Sequence, residues 1–199
     1  MPIPPHTLKA YEKTRVDHAI DAFAKLEKPT IADLHRVKVQ AEVQCKIDEY
    51  RLDAIRLGKD KLETELHVPE RMAQLMAASG DPRPAAAEHC HCHAIVSGAH
   101  NDAAMIRAVL AWCMMRIDDP RNGCWLPRNT KARAHMPHWL ANAAPHSRIH
   151  RNSYYRWLGD LINPMMVKSC DDLLQKLRMI RMRLQSGSLP KHILSEMGL

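Results

Sequence analysis

Histidine and cysteine side chains are concentrated in the middle third of this chain. Residues 88–93 read Glu-His-Cys-His-Cys-His, and two later histidines, His146 and His150, are separated by three residues. Neutral imidazoles and thiolates bind zinc and related divalent metals. On a helix, residues i and i+4 lie one above the other, so both imidazoles of the later pair can reach one ion. The residue types therefore predict a metal site, although such a pair alone is weak evidence in a chain with 13 histidines.

The cysteines offer an alternative, a structural zinc held by Cys90, Cys92, Cys113 and Cys124. Their spacing matches no familiar zinc ribbon or finger. In a strand over 90–93, His91 and His93 would share one face, and Cys90 and Cys92 the other. The N-terminus lacks the layout of a secretion signal, so we expect reduced thiols or metal ligands rather than disulfides.

Positive charge favours an acidic partner, with nucleic acid first among the candidates. The net charge is +7, and no Asp or Glu occurs between residues 120 and 159. The basic residues of that stretch are Arg121, Arg128, Lys131, Arg133, Arg148, Arg151 and Arg156. A solvated basic face is the alternative interpretation, but the overlap with His146 and His150 favours a nucleic-acid surface.

Hydrophobic periodicity predicts helical structure in the first third of the chain. Helices are expected at 6–27, 30–57, 60–66 and 69–78. Thr30 is a suitable cap for the second helix, and Gly58 a natural stop. No apolar run approaches the length of a membrane span.

Residues 79–84, Ser-Gly-Asp-Pro-Arg-Pro, interrupt this periodicity and are typical of a linker. We expect a helical N-terminal region over 1–84, a core over 85–165, and a C-terminal helix that packs on the core over 166–199. In the core, short strands are expected at 94–96 and 124–126. Helices are expected at 102–115, 145–161 and 171–184, and Pro145 would begin the one that carries His146 and His150. The predicted fold is mainly α with a small two-stranded β element.

Several spaced blocks between residues 88 and 158 occur in the order found in one nuclease family. The blocks are His93-Ala94-Ile95-Val96-Ser97-Gly98, Arg107-Ala108-Val109-Leu110, Ile117-Asp118-Asp119-Pro120, Arg121-Asn122-Gly123-Cys124-Trp125-Leu126-Pro127, His146-Ser147-Arg148-Ile149-His150 and Tyr154-Tyr155. Here the chain resembles the AHH branch of the HNH, or His-Me finger, nucleases. Many members of that branch are toxin domains of bacterial polymorphic and type VI secretion effectors. The resemblance implies a ββα-metal core around one divalent cation.

The resemblance also implies roles for individual residues. His93, His146 and His150 would be the metal ligands, and Asn122 would brace the loop that carries the site. Few carboxylates lie nearby, so Zn²⁺ or Ni²⁺ would bind tightly even with Mg²⁺ or Mn²⁺ as the working ion. The residues expected to bind phosphates or nucleic acid are Arg148, Arg151, Arg128 and Lys131. The alternative metal ligands are His91, Cys90 and Cys92.

The chain departs from the family at Ala94, where the family normally has a histidine that acts as general base. Three explanations are open: an inactivating substitution of that histidine, use of His91 or His93 as the base, or a degenerate and inactive member. We favour the first, because the residues around position 94 are retained. In that case Ala94→His is expected to restore metal-dependent cleavage.

The predicted function is a metal-dependent, largely sequence-independent DNase that acts as an antibacterial toxin. The alternatives are an RNase on the same scaffold and a non-catalytic, zinc-stabilised nucleic-acid-binding or adaptor module. The toxin interpretation implies a cognate immunity protein and a secretion component or chaperone that docks on the N-terminal helices. It further implies synthesis in the cytoplasm without a signal peptide, export by a specialised system, and action in the cytoplasm of a target cell.

Overall fold

Helices surround one small antiparallel sheet in the computed structural model, which describes residues 13–194. The α-helices are α1 (Arg15–Ala24), α2 (Ile31–Leu57), α3 (Lys59–Glu63), α4 (Pro69–Ala78), α5 (Ala104–Trp112), α6 (Asn152–Leu161), α7 (Cys170–Ser186) and α8 (Lys191–Leu194). The strands are β1 (Cys90–Ala94) and β2 (Gly123–Pro127). The predicted fold class is confirmed.

Local capping determines where the N-terminal helices begin and end. Thr30 caps α2 and exchanges hydrogen bonds with Asp33 in a capping box, and Gly58 ends the helix with a φ of 76°. A second capping box, between Thr14 and Asp17, begins α1. The helix expected from residue 6 is thus observed from Arg15, and the part of that prediction before residue 13 lies outside the described residues.

The first strand begins earlier than the sequence predicted. It was expected over residues 94–96, but the ladder runs from the Cys90–Pro127 pair to the Ala94–Gly123 pair. Beyond Ala94 the partner strand has ended, and Asn122 supplies the next hydrogen bonds. Its carbonyl accepts from Ile95 N at 2.8 Å, and its side-chain oxygen accepts from Val96 N at 2.9 Å. Ile95 and Val96 therefore lie in the loop that follows β1.

The sheet is packed between α4 and α7. Met72 and Met76 of α4 are fully buried, and a Cβ on Gly123 would lie only 2.5 Å from the sulfur of Met76. The absence of a side chain at Gly123 thus allows α4 to approach β2 closely. The residues of α7 that belong to the same core are Leu173, Leu177, Ile180 and Leu184. The division of the chain at residue 84 stays a prediction.

The prediction of a single helix over 145–161 was wrong in its first turn. Residues 146–148 form a short 3-10 helix, and α6 starts only at Asn152. Ile149 between them is fully buried, so the chain must turn to place this side chain in the core. His146 and His150 consequently approach each other across a bend rather than along an α-helix.

The expectation that every thiol is reduced or bound to metal was also wrong. Cys113, at the end of α5, forms a disulfide with Cys170, the first residue of α7, and 57 positions separate the two. The pairing joins the ends of two helices that are far apart in the chain, which local spacing does not reveal. Cys45 is exposed, whereas Cys90, Cys92 and Cys124 are buried and free. Within residues 13–194 no helix has the length and apolar character that a bilayer crossing requires.

Candidate metal centre

Three imidazoles converge beside the end of the sheet. His93 comes from β1 and is buried, His146 is half-buried in the 3-10 helix, and His150 is exposed. The three offer ligand atoms that all lie within 4.8 Å of one another. Within residues 13–194, this is the one group of three or more His, Cys, Asp or Glu residues with that geometry.

Backbone contacts hold the bend that carries two of these histidines. Ser147 N donates to the carbonyl of Arg128 at 3.2 Å, and Arg148 N donates to the carbonyl of Pro145 at 2.9 Å. With Ile149 anchored in the core, His146 and His150 project away from it, and their Nε2 atoms lie 3.0 Å apart. The bend therefore replaces the helical i, i+4 geometry expected from the sequence.

Hydroxyl and imidazole groups surround the three histidines. His150 Nδ1 lies 3.1 Å from the Tyr155 hydroxyl, and His93 Nε2 lies 3.4 Å from the Tyr154 hydroxyl. Tyr154 also donates to the carbonyl of Ile95 at 3.0 Å. Partners of this kind orient metal-binding imidazoles. Both tyrosines come from α6, so this helix orients two of the three imidazoles.

Burial keeps the imidazoles neutral. It lowers the pKa of His93 well below its usual value, and the positive forms of His146 and His150 lower it further. Burial, together with the neighbouring histidines, also lowers the pKa of His146 to about 4. Partial burial of the His150 ring, together with the positive forms of His100 and His67, lowers the pKa of His150. A neutral imidazole has a lone pair for a metal. The donor set therefore fits a divalent cation with a preference for nitrogen ligands.

The buried thiols, unlike the imidazoles, are held in the protonated form, which is not the form that binds a metal. Burial raises the pKa of Cys90 to about 11 and that of Cys92 to about 12, so both remain protonated at neutral pH. The sulfur of Cys92 lies 3.5 Å from that of Met76, in the core. A four-cysteine zinc site is excluded, because Cys113 is bonded to Cys170.

A cavity of about 380 Å³ opens beside the three histidines. Ala94 and His91, both singled out from the sequence, line it. His91 Nδ1 also lies 3.3 Å from His146 Nδ1, which places His91 next to the ligand group. The cavity walls further include His67, Glu70 and Arg83, which the sequence analysis missed. No local sequence pattern identifies them as site residues, because they lie in the segment between α3 and α4, in α4 and in the predicted linker, all before the histidine cluster.

The predicted phosphate-binding residues lie outside the cavity walls. Arg128 follows β2, is exposed, and lies close enough to His91 to lower its pKa, after the larger effect of burial. Lys131 is exposed at the start of the next 3-10 helix, and Arg148 belongs to the bend of the histidines. Arg151 occupies the N-cap position of α6.

Two other arginines of the basic stretch have structural partners. Arg121 pairs with the buried carboxylate of Asp119, and Arg133 donates to the carbonyl of Ala143 at 2.7 Å. The basic stretch therefore divides into residues that stabilise the fold and residues such as Arg128 and Lys131 that face solvent.

Asn122 joins the two loops next to the sheet. It is fully buried, and its amide nitrogen donates to the carbonyls of Ile117 at 2.8 Å and Val96 at 3.2 Å. Its oxygen accepts from Val96 N. These bonds use most of the hydrogen-bonding capacity of the side chain. They fix the loop after β1, and Ser97 of this loop lines the cavity.

Comparison with known proteins identifies the family. A family model described as "a nuclease family of the HNH/ENDO VII superfamily with conserved AHH" matches residues 74–186. Neither a curated protein nor a solved structure matches the chain. The matched segment contains both strands, the three histidines and the cavity residues from Arg83 onward, whereas His67 lies before it. Since this segment is more than half of the chain, the protein belongs to the AHH nuclease family of the HNH/ENDO VII superfamily.

Proposed function

We propose that this nuclease is a metal-dependent, largely sequence-independent DNase. The observation that carries the proposal is the convergence of His93, His146 and His150 within 4.8 Å at the edge of an open cavity. When bound there, a divalent ion supplies Lewis-acid stabilisation of a phosphodiester and of its leaving 3′-oxygen. The neutral imidazoles of His93, His146 and His150 would hold that ion, and the hydroxyl of Tyr155 orients His150.

We assign phosphate binding to an arginine in the cavity wall. Arg83 lines the cavity, with its guanidinium 5.4 Å from the ring centroid of Trp125. Packing against the ring restricts the guanidinium, which reduces the entropy lost when it binds a phosphate. Arg128 and Lys131 extend the positive surface away from the cavity. Phosphate contacts carry no base sequence information, so cleavage should be non-specific and should weaken as salt is raised.

The biological role that we propose is that of an antibacterial toxin with a cognate immunity protein. The positive net charge supports an acidic immunity protein that covers the basic face. The Cys113–Cys170 disulfide supports a route through an oxidising compartment, because such bonds persist poorly in a reducing cytoplasm. Delivery by a specialised secretion system, with docking through the N-terminal helices, is part of the same proposal.

The test combines metal binding with plasmid digestion. Single His93→Ala, His146→Ala and His150→Ala variants should bind Mn²⁺ or Zn²⁺ at least about 100-fold more weakly in calorimetry, since loss of an outer partner alone costs 10–100-fold. His35→Ala, on the exposed face of α2, is the matched control and should bind normally. Chelation should stop digestion of supercoiled plasmid and leave the protein folded. Unfolding on chelation would instead indicate a structural zinc module, and preferential cleavage of RNA would overturn the assignment to DNA.

A further inference from the structure

Besides His91 and the three predicted ligands, a fifth histidine, His67, lines the cavity of the metal centre. It lies in the segment between α3 and α4 and lines the same cavity as Ala94 and His93. His67 therefore belongs to this site spatially, although it lies outside the segment that the family model matches.

A buried carboxylate orients the ring of His67. Nδ1 lies 2.5 Å from Asp118 Oδ1, and the Asp118 side chain is fully buried. Asp118 is held in turn by Arg71, whose Nε donates to Oδ2 at 2.7 Å, and by the amide of Val68. A carboxylate at Nδ1 selects the tautomer with the proton on Nδ1 and the lone pair on Nε2. Among the described residues, no hydrogen bond involves His67 Nε2, and this nitrogen remains for a molecule in the cavity.

Close backbone packing fixes His67 relative to β1. A Cβ on Gly98 would lie 2.7 Å from the backbone nitrogen of His67 and 2.9 Å from the carbonyl oxygen of Glu65. Glycine at this position allows the loop after β1 to lie directly against the His67 backbone. The histidine is therefore held by Asp118 at its ring and by Gly98 at its backbone.

We propose that His67, oriented by Asp118, is the general base that replaces the histidine missing at position 94; this replaces the inactivating substitution favoured from the sequence alone. The proposal rests on the nuclease function proposed above. His93, His146 and His150 are assigned to the metal, and His91 Nδ1 faces His146 at 3.3 Å. Of the histidines around the cavity, His67 combines a fixed ring, a carboxylate partner and a nitrogen without a protein partner. This combination is what activation of a nucleophile requires.

The proton balance of the step is simple. Nε2 of His67 removes a proton from water while the water oxygen forms a bond to phosphorus. The bond between phosphorus and the 3′-oxygen breaks, and the leaving oxygen takes a proton from solvent. The products are a 5′-phosphate and a 3′-hydroxyl. The His67 imidazolium, stabilised by Asp118, then returns its proton to solvent.

The variant His67→Asn separates catalysis from structure. An asparagine amide can donate to Asp118 from nearly the position of Nδ1, but it has no basic nitrogen. We expect kcat on duplex DNA to fall about 10²–10⁴-fold, whereas KM, Mn²⁺ affinity and the urea midpoint stay unchanged. In His67→Ala, added imidazole should restore part of kcat, which a purely structural role would not produce. His35→Asn is the matched control and should retain full activity.

The outcomes distinguish this proposal from the proposed function. Full kcat in His67→Asn, with the fold intact, would overturn the general-base role while leaving the nuclease assignment in place. The general-base role of His67 would also be overturned if the parent protein were inactive and Ala94→His gained cleavage. That result would show that the parent has no general base. A parent and an Ala94→His variant that both bind Mn²⁺ and cleave neither DNA nor RNA would contradict the proposed function itself.

Discussion

At the scale of single residues, the buried imidazoles of the metal centre make the stability of the protein sensitive to acid. Burial lowers the pKa of His93 and His146 in the folded protein, while in the unfolded chain both return to about 6.5. Above that pH both states hold neutral imidazoles. Below it the unfolded chain takes up protons that the folded protein resists, so the free energy of unfolding decreases as pH falls.

This difference predicts an acid-dependent loss of stability in the metal-free protein. As the pH falls from 6.5 to 5, the slope that each such histidine contributes to the free energy of unfolding should rise toward a limit of about 1.4 kcal/mol per pH unit. Urea titrations at several pH values in the presence of a chelator would measure the slope. His146→Gln should make it shallower, whereas the exposed control His35→Gln should not change it. An equal slope in His146→Gln and the parent protein would contradict the prediction.

At the scale of elements, long-range links hold together helices that are far apart in the chain. The disulfide joins the end of α5 to the start of α7, on either side of the segment that contains β2 and the histidine bend. Glu65 similarly ties the end of α3 to the core, through bonds to Arg116 and to the amide of Ile117. The disulfide restricts the unfolded chain. The bonds of Glu65 fix the relative position of elements that are far apart in the chain.

Reduction of the disulfide should therefore destabilise the protein substantially. For a separation of 57 positions, the chain-entropy model gives a loss of about 4 kcal/mol in the free energy of unfolding. Urea denaturation with and without reductant would measure it in the parent protein. The Cys113→Ser/Cys170→Ser double variant should start lower and show no response to reductant, while the exposed Cys45→Ser should behave like the parent. Identical midpoints in all three would refute the stabilising role.

At the scale of the whole molecule, the helices before residue 84 contribute unequally to the nuclease core. No residue of α1 is buried, whereas Met72 and Met76 of α4 lie in the core that includes both strands. The segment before α4 also contributes His67 to the cavity. The functional unit is therefore expected to include α4 and the residues just before it.

Truncation tests this expectation. A chain over 30–199 should unfold in one cooperative transition and bind Mn²⁺ like the full chain. A chain over 85–199 lacks two fully buried methionines, each worth about 1.5–3 kcal/mol, and should unfold at markedly lower urea or not fold. Circular dichroism and calorimetry would compare the two. A stable, metal-binding 85–199 chain would instead support the division at residue 84.

Local signals account for what could be predicted from the sequence. Thr30 and Gly58 are a cap and a stop whose effects act within a few residues, so α2 was found with its observed bounds. The spaced blocks from His93 to His150 identified the family, because residue types in order are a property of the chain alone. The bend at Ile149 was missed, because only burial in the core decides that residues 146–151 cannot remain helical.

By itself, the sequence determined the mainly helical class, the nuclease family, the basic stretch and the absence of a histidine at position 94. These follow from residue types, periodicity and order, which need no distant partner. Only the tertiary structure decided that His146 and His150 meet across a bend, that Cys113 bonds to Cys170, and that His67, with Asp118 at its ring, lines the same cavity as Ala94. His67 and Asp118 are 51 positions apart, and a pair at that distance is brought together by packing of the whole core rather than by any local pattern.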